Sequence, residues 1–310
     1  MIEGQEGVTW QDWVRLARLV EDHGLEGLFR SDHYTAIIRP QAGALDAWTT
    51  LAGLAAITER IRLGTLVSPA TFRHPSVLAR MAVTVDHISG GRVDVGMGAG
   101  WYEREHIEHG FPFLDPRQRF RLFAEQVEIV VRSWTEDAFD HSGPAYQLRE
   151  QTALPRPVQK PHPPLVLGGT VKPPLRRACR SLRRRGQHAR RPERRAQGAE
   201  GAPRSRVRRC GTRPCHAQLL GDDRVLRRLG SSRASRPIGT FLSIRGGEAD
   251  AEQMLEERRP TWLAGTVEEV AARISELEAL GVDRVMLQHL NHSDDDMVAL
   301  IGEQLIPALA

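Results

Sequence analysis

Ser31-Asp32-His33 sets a hydroxyl, a carboxylate and an imidazole side by side at the end of an apolar run. An imidazole titrates near neutrality and can give or take a proton during a reaction. The plain alternative is that Asp32 caps the chain and His33 packs at a rim. Gly64-Thr65-Leu66-Val67-Ser68 ends a second apolar run. Thr71-Phe72-Arg73-His74 follows and either faces a ligand or turns the chain. Gly96-Met97-Gly98-Ala99-Gly100-Trp101 ends a third run, with Tyr102 and Glu103 behind it. Its spacing is not the GxGxxG of dinucleotide-binding turns, but its glycines permit close approach of a flat ring or a slender chain. Trp101 either lines a pocket or anchors the loop in the core. Gly168-Gly169-Thr170 ends a fourth run; two glycines before a helix N-terminus form a nest of backbone N–H groups suited to a phosphate. His87, His106 and His109 lack metal-ligand spacing and read as surface or rim residues, so no metal site is expected.

These segments need strands to end on and helices to return them. Thr9-Trp10-Gln11-Asp12 is a capping box, and Trp13, Leu16, Ala17 and Val20 follow at helical spacing. Residues 24–33 read as a buried strand, 45–58 as a helix and 61–69 as a strand. Pro75 opens a helix to about His87, and 91–100 is a strand. Residues 117–134 form an amphipathic helix that packs on the sheet or on a second copy, and 163–169 is a strand. Thr266-Val267-Glu268-Glu269 is a second capping box, followed by a strand over 282–288 and a closing helix over 294–309. Strands alternating with helices imply parallel βαβ units, apolar because both faces of the sheet are covered. The polar and glycine residues collect at the C-terminal strand ends, where both TIM barrels and open doubly wound sheets place their sites.

At 310 residues the chain can bury a large core. It has no membrane-length apolar run and no signal-like start, and its three cysteines cannot all pair, so a cytoplasmic protein is expected. The formal net charge of +4 is an average of two unlike parts. Residues 173–237 hold 20 Arg, no Lys and 4 acids, a charge of +16, which leaves −12 for the rest. All the cysteines, Cys179, Cys210 and Cys215, lie in that stretch, and it has no Phe, Trp, Tyr, Ile or Met.

Four strings carry a family resemblance: "GLFRSDHY", "ERIRLGTLVSPATFRHPSVLARMAVTVDHISGGRVDVGMGAGWYEREH", "PPLVLGG" and "WLAGTVEEVAARISELEALGVDRVMLQ". Over about 1–170 and 238–310 the chain resembles the luciferase-like oxidoreductases, and within them the F420-dependent branch. The resemblance implies one TIM (β/α)8 barrel domain with insertions, binding a deazaflavin or flavin at the strand C-termini. It implies hydride transfer between coenzyme F420 and a small organic substrate, with His33 near the reacting carbon and Asp32 ordering the site. It implies a non-prolyl cis peptide at Leu66–Val67 backing the ring. Thr65, Leu66, Val67, Gly98, Gly100, Trp101 and Tyr102 would line the cofactor, and Gly168, Gly169 and Thr170 would hold its phosphate. The same-class alternative is an FMN-dependent monooxygenase. Homodimers are common in the family; no membrane or nucleic-acid partner is implied.

The barrel reads as incomplete. Met1-Ile2-Glu3-Gly4-Gln5 resembles only the end of the first strand, and the sixth and seventh strands should stand where the Arg-rich stretch is. A closed barrel cannot omit strands without exposing backbone edges. The stretch reads as an out-of-frame segment from near Pro173 to near Ile238, since GC-rich coding DNA read out of frame yields Arg, Pro, Ala, Gly and Cys. Translation of the gene's other two frames tests this: absence of an amphipathic helix and apolar strands in both would sink it. The competing readings are a disordered insertion, an Arg-rich nucleic-acid arm lacking aromatic rings to stack bases, and a zinc site at Cys210, Cys215 and His216. A frameshifted, inactive pseudo-enzyme is the remaining functional alternative.

Overall fold

The structure is a computed structural model that describes residues 1–39, 41–152, 154–168, 226–227, 263–289 and 291–310. Helix α1 (Trp10–Asp22) starts at the expected box: the Thr9 side chain accepts from the Asp12 N–H, and the Asp12 side chain accepts from that of Thr9. Its stripe of Trp13, Leu16, Ala17 and Val20 is buried. Then come β1 (Gly27–Arg30), α2 (Ala47–Ile57), β2 (Arg62–Thr65), β3 (Ser68–Pro69), α3 (Pro75–Ile88) and β4 (Val93–Gly98). After β4 follow α4 (Glu103–His109), α5 (Pro116–Thr135), β5 (Ala138–Ser142), β6 (Gln147–Thr152) and β7 (Leu165–Leu167). The two-residue strands β8 (Leu226–Arg227) and β9 (Ala264–Gly265) pair in parallel ahead of α6 (Val267–Ala279) and α7 (Asp295–Leu300). The second capping box, Thr266 with Glu269, opens α6.

The sheet is parallel throughout. β1 pairs β2 from Gly27↔Arg62 to Arg30↔Thr65, β2 and β3 both pair β4, and β4 pairs β7. Ile2 bridges Arg30 on one side and His289 on the other, as a strand lying between them would. Alternate residues point to opposite faces. Leu28, Leu63, Val93, Val95, Met97 and Leu167 join the helices in the large outer core. Phe29, Leu66 and Val166 pack instead with Met1, Val67 and Met286 on the opposite face of the sheet. Below that layer Asp94, fully buried, is paired with both Arg62 and Arg284, as a buried charge must be. The glycines on that face make room for this packing. A Cβ on Gly64 would lie 2.6 Å from Phe29 Cε1, and one on Gly98 2.6 Å from Val67 Cγ2.

Several elements differ from the sequence reading. The run 61–69 is broken into β2 and β3 at a cis Leu66–Val67 peptide bond. The strand expected over 282–288 forms no ladder. Met1 N–H donates to Leu287 O (2.7 Å) and His289 N–H to Met1 O (2.9 Å), but among the described residues no strand pairs its other side. The closing helix widens into a π turn over Ile301–Leu305 before its last turn. Pro307 has no N–H to give the helical ladder there. The hairpin β5–β6 was not expected. It lies along α5, where Glu125 accepts from the N–H of Tyr146 at 2.9 Å. Helix α5 itself is barrel packing, its Phe123, Val127, Val130 and Trp134 joining the outer core. The segments expected to carry the sixth and seventh barrel strands, and the cysteines, lie outside the described residues, β8 apart. No helix among the described residues is long and apolar enough to cross a membrane.

Candidate active site

The end of β1 is fixed from three directions. The Ser31 hydroxyl accepts from the Gly4 N–H at 2.8 Å and donates to Gln5 Oε1 at 2.5 Å, which ties it to the N-terminal segment. Asp32, 1% exposed, accepts from the Ser68 hydroxyl at 2.6 Å and from both terminal nitrogens of Arg73 at 2.6 and 3.1 Å. Ser68 is held in turn by Trp48 Nε1 at 3.0 Å. Arg73 also donates to the Tyr34 hydroxyl (2.8 Å) and to Asp46 Oδ2 (2.9 Å), the N-cap of α2. Burial works against the Arg73 charge, but Asp32, Tyr34 and Asp46 together outweigh it and hold the guanidinium pKa above its ordinary value. Burial likewise pushes the Tyr34 phenol up to about 12, so it stays protonated. Asp32 is thus the centre of a brace joining β1, β3 and α2.

His33 points the other way. Its Nδ1 lies 2.7 Å from Oε2 of Glu105, a fully buried residue of α4. Oε1 of the same carboxylate accepts the backbone N–H groups of Tyr34 and Thr35. Burial alone would lower the His33 pKa; the hydrogen bond and charge of Glu105, with Glu3 and Asp32 behind them, raise it above its ordinary value. Burial works to raise the Glu105 pKa, yet His33 and the two N–H groups hold it below its usual one. The rings of Trp101 and Tyr102 stand edge-on to the imidazole, with centroids at 6.1 and 6.3 Å. Trp101 is 62% exposed, so it is a rim residue and not a core anchor.

The turn after β4 is clamped. Gly100 has φ +78°, a left-handed conformation that favours glycine, and a Cβ there would meet Thr71 Oγ1 at 2.8 Å. His106 corrects the surface reading: it is buried, its Nδ1 2.7 Å from Tyr102 O and its Nε2 2.7 Å from the Thr71 hydroxyl. The reason is the short helix α4, which turns Glu105 and His106 inward together. His87 and His109 are exposed, as expected. Among the described residues no group of His, Cys, Asp and Glu could hold a metal ion; the cysteines lie outside them.

The remaining expected cofactor residues divide. Leu66 and half-buried Val67 flank the cis bond at the barrel mouth, with Gly98 directly across from Val67. Gly168 N–H donates to Met97 O at 2.8 Å, which brings the end of β7 beside them. The Thr65 hydroxyl donates to Gly96 O (2.9 Å) and accepts from Gly96 N–H (3.2 Å), so it ties β2 to β4. Gly96 and Gly98 are crowded by the chain itself, by Thr65 and Val67. Gly169 and Thr170 lie outside the described residues. Sequence reading missed Glu105, whose only trace was a stretch between Tyr102 and a helix-stopping Gly110.

The residues 2–217, more than half of the chain, match the model of the family described as luciferase-like monooxygenase. An FMNH2-dependent dimethylsulfone monooxygenase of Pseudomonas putida is 28% identical over 170 residues, 54% of this chain and 46% of that protein. An F420-dependent glucose-6-phosphate dehydrogenase of Microbacterium testaceum is 31% identical over 153 residues, 49% of this chain and 45% of that protein. The chain therefore spans about half the length of these curated relatives. A solved F420-dependent secondary alcohol dehydrogenase, in complex with an F420–acetone adduct, shares the fold with a TM-score of 0.68 at 15% identity. That alignment covers 100% of this chain and 98% of the other. The parallel α/β sheet is that of a TIM barrel, and the chain belongs to the luciferase-like monooxygenase family.

Proposed function

We propose that the chain is an oxidoreductase that exchanges a hydride between coenzyme F420 and a small organic substrate at the barrel mouth. The observation that carries this is His33, held through Nδ1 by a buried carboxylate at the strand ends and flanked by an exposed indole. Hydride transfer to or from carbon is accompanied by a proton, and an imidazole beside the mouth serves that need.

The residues present fit the ring of such a cofactor. Val67, with Leu66 beside it and Gly98 packed beneath it, makes an apolar wall, and Trp101 and Tyr102 an aromatic rim. Gly100 shapes the turn that carries the rim. Gly168, Gly169 and Thr170 would hold the phosphate. Thr65 acts through Gly96 by holding the wall in register, and Asp32 acts through the Arg73 brace. The cofactor supplies the hydride; His33 gives or takes the proton at Nε2.

The second reading is oxygen insertion with reduced FMN, favoured by the dimethylsulfone monooxygenase relative. One experiment separates them. The full chain is titrated with F420 and FMN, followed by absorbance and tryptophan quenching, with assembly read by gel filtration and a homodimer expected. Micromolar F420 binding with weak FMN binding supports the reading. Stoichiometric FMN binding with oxygen uptake overturns it in favour of the second. Insoluble expression with no cofactor spectrum points to an inactive chain. Salt-dependent DNA affinity points to a role for the Arg-rich stretch.

A further inference from the structure

We propose that Glu105 is a positioning residue for the His33 proton: it accepts the Nδ1 hydrogen, so that Nε2 is the atom offered to the barrel mouth, and it keeps the ring an acid for substrate reduction. This rests on the hydride-transfer reading above.

The geometry leaves little choice of tautomer. A carboxylate only accepts, so the 2.7 Å contact to Oε2 requires the hydrogen on Nδ1. The carboxylate cannot swing away. Its other oxygen is held by the N–H groups of Tyr34 and Thr35, and the residue is fully buried. The charged groups facing His33 are Glu105 from α4, Glu3 from the N-terminal segment and Asp32 from its own strand end. Arg73 sits behind Asp32 and is bound to it. Glu3 is held by the amides of Gln5 and Gln288. The nearest of these groups is the Glu105 carboxylate, and together the three acids outweigh the effect of burial.

In the reducing direction, a hydride from the reduced carrier forms a C–H bond at an electrophilic carbon, such as that of a carbonyl. The C=O π pair moves to oxygen, and the Nε2 proton of His33 bonds to it. The carrier loses two electrons and the substrate gains them. The ring keeps its Nδ1 hydrogen on Glu105 and takes its next proton from water.

The test uses the full chain and Glu105→Gln. The new side chain still accepts from Tyr34 and Thr35 through its oxygen, but its amide nitrogen must donate to Nδ1. Nitrogen-15 NMR of the histidines, without cofactor, should show the neutral Nδ1–H tautomer of His33 in the parent and Nε2–H in the variant. The His33 titration should fall by about one pH unit or more. With cofactor and substrate, the alkaline limb of the rate profile should move down by the same amount, with KM changed less than about twofold. Glu105→Asp, which keeps the charge, should restore part of that limb. A parent already in the Nε2–H form overturns the proposal, and that measurement needs no variant to fold. So does an even loss of rate at every pH. If the parent binds neither F420 nor FMN, the hydride reading fails, while the NMR titration still decides the hold of Glu105 on His33.

Discussion

Arg73 grips Asp32 by both carboxylate oxygens, Nη1 to Oδ2 at 2.6 Å and Nη2 to Oδ1 at 3.1 Å. The Asp32 side chain is buried and that of Arg73 is 9% exposed, and the same guanidinium reaches Tyr34 and Asp46. The carboxylate beside the imidazole is therefore committed to holding three strand and helix ends in place.

Removing one partner leaves the other charge buried and alone, which typically costs about 3–5 kcal/mol. Arg73→Met should lower stability by that amount in urea unfolding. The double variant with Asp32→Asn should lose clearly less than the two single losses added together. Additive losses would show that the two residues do not work as a pair.

Gly96 and Gly98 lie two residues apart in β4, and their crowding differs in kind. A Cβ on Gly96 runs into the Thr65 carbonyl oxygen, which is backbone; one on Gly98 meets the Val67 Cγ2 at 2.6 Å. Overpacking commonly costs about 1–3 kcal/mol. Gly98→Ala should fall in that range and be rescued by Val67→Ala. Gly96→Ala should cost more, and no side-chain change should rescue it. Thermal melts of Gly98→Ala, Val67→Ala, their double variant and Gly96→Ala decide this.

The His33–Glu105 pair makes stability depend on pH in a defined window. His33 has a raised pKa, so its contribution is present below the ordinary value of 6.5 and is lost as pH rises through the raised one. Glu105 has a lowered pKa, so its contribution is present above 4.5 and is lost as pH falls through the lowered one. A double-mutant cycle with His33→Asn and Glu105→Gln should give its largest coupling between those ordinary values. A coupling that grows above pH 8 would contradict an ion pair.

Trp101 offers a test of binding with little effect on folding. It is largely exposed, so Trp101→Ala should change stability by no more than about 0.5 kcal/mol. Loss of an aromatic contact worth about 1 kcal/mol should weaken cofactor or substrate binding roughly fivefold. Equal binding by the variant and the parent would remove Trp101 from the site.

Local chemistry made much of the scaffold legible. Both capping boxes and the starts of α3 and α5 follow from side chains within one turn of the residue they fix. The parallel strands follow from apolar runs of the right length, and His33 stands at the end of one because polar residues begin there. The hairpin β5–β6 is hard to read because its strands are mostly exposed and polar, and Phe139 is the one buried apolar residue they carry. The run 282–288 has the composition of a strand but forms none, because a strand is defined by its neighbours and Met1–Ile2 offers this segment a single bridge, at His289.

The sequence by itself determined which polar and glycine residues gather after the apolar runs that became β1, β2, β4 and β7, since caps, periodicity and glycine turns act over a few bonds. Only the tertiary structure decided what those residues touch. Glu105 lies 72 positions from His33 and Arg73 lies 41 from Asp32, and neither spacing carries a local signal. Both pairs exist because β1, β3 and β4 end at the same mouth, where a buried charge must find its partner across the sheet.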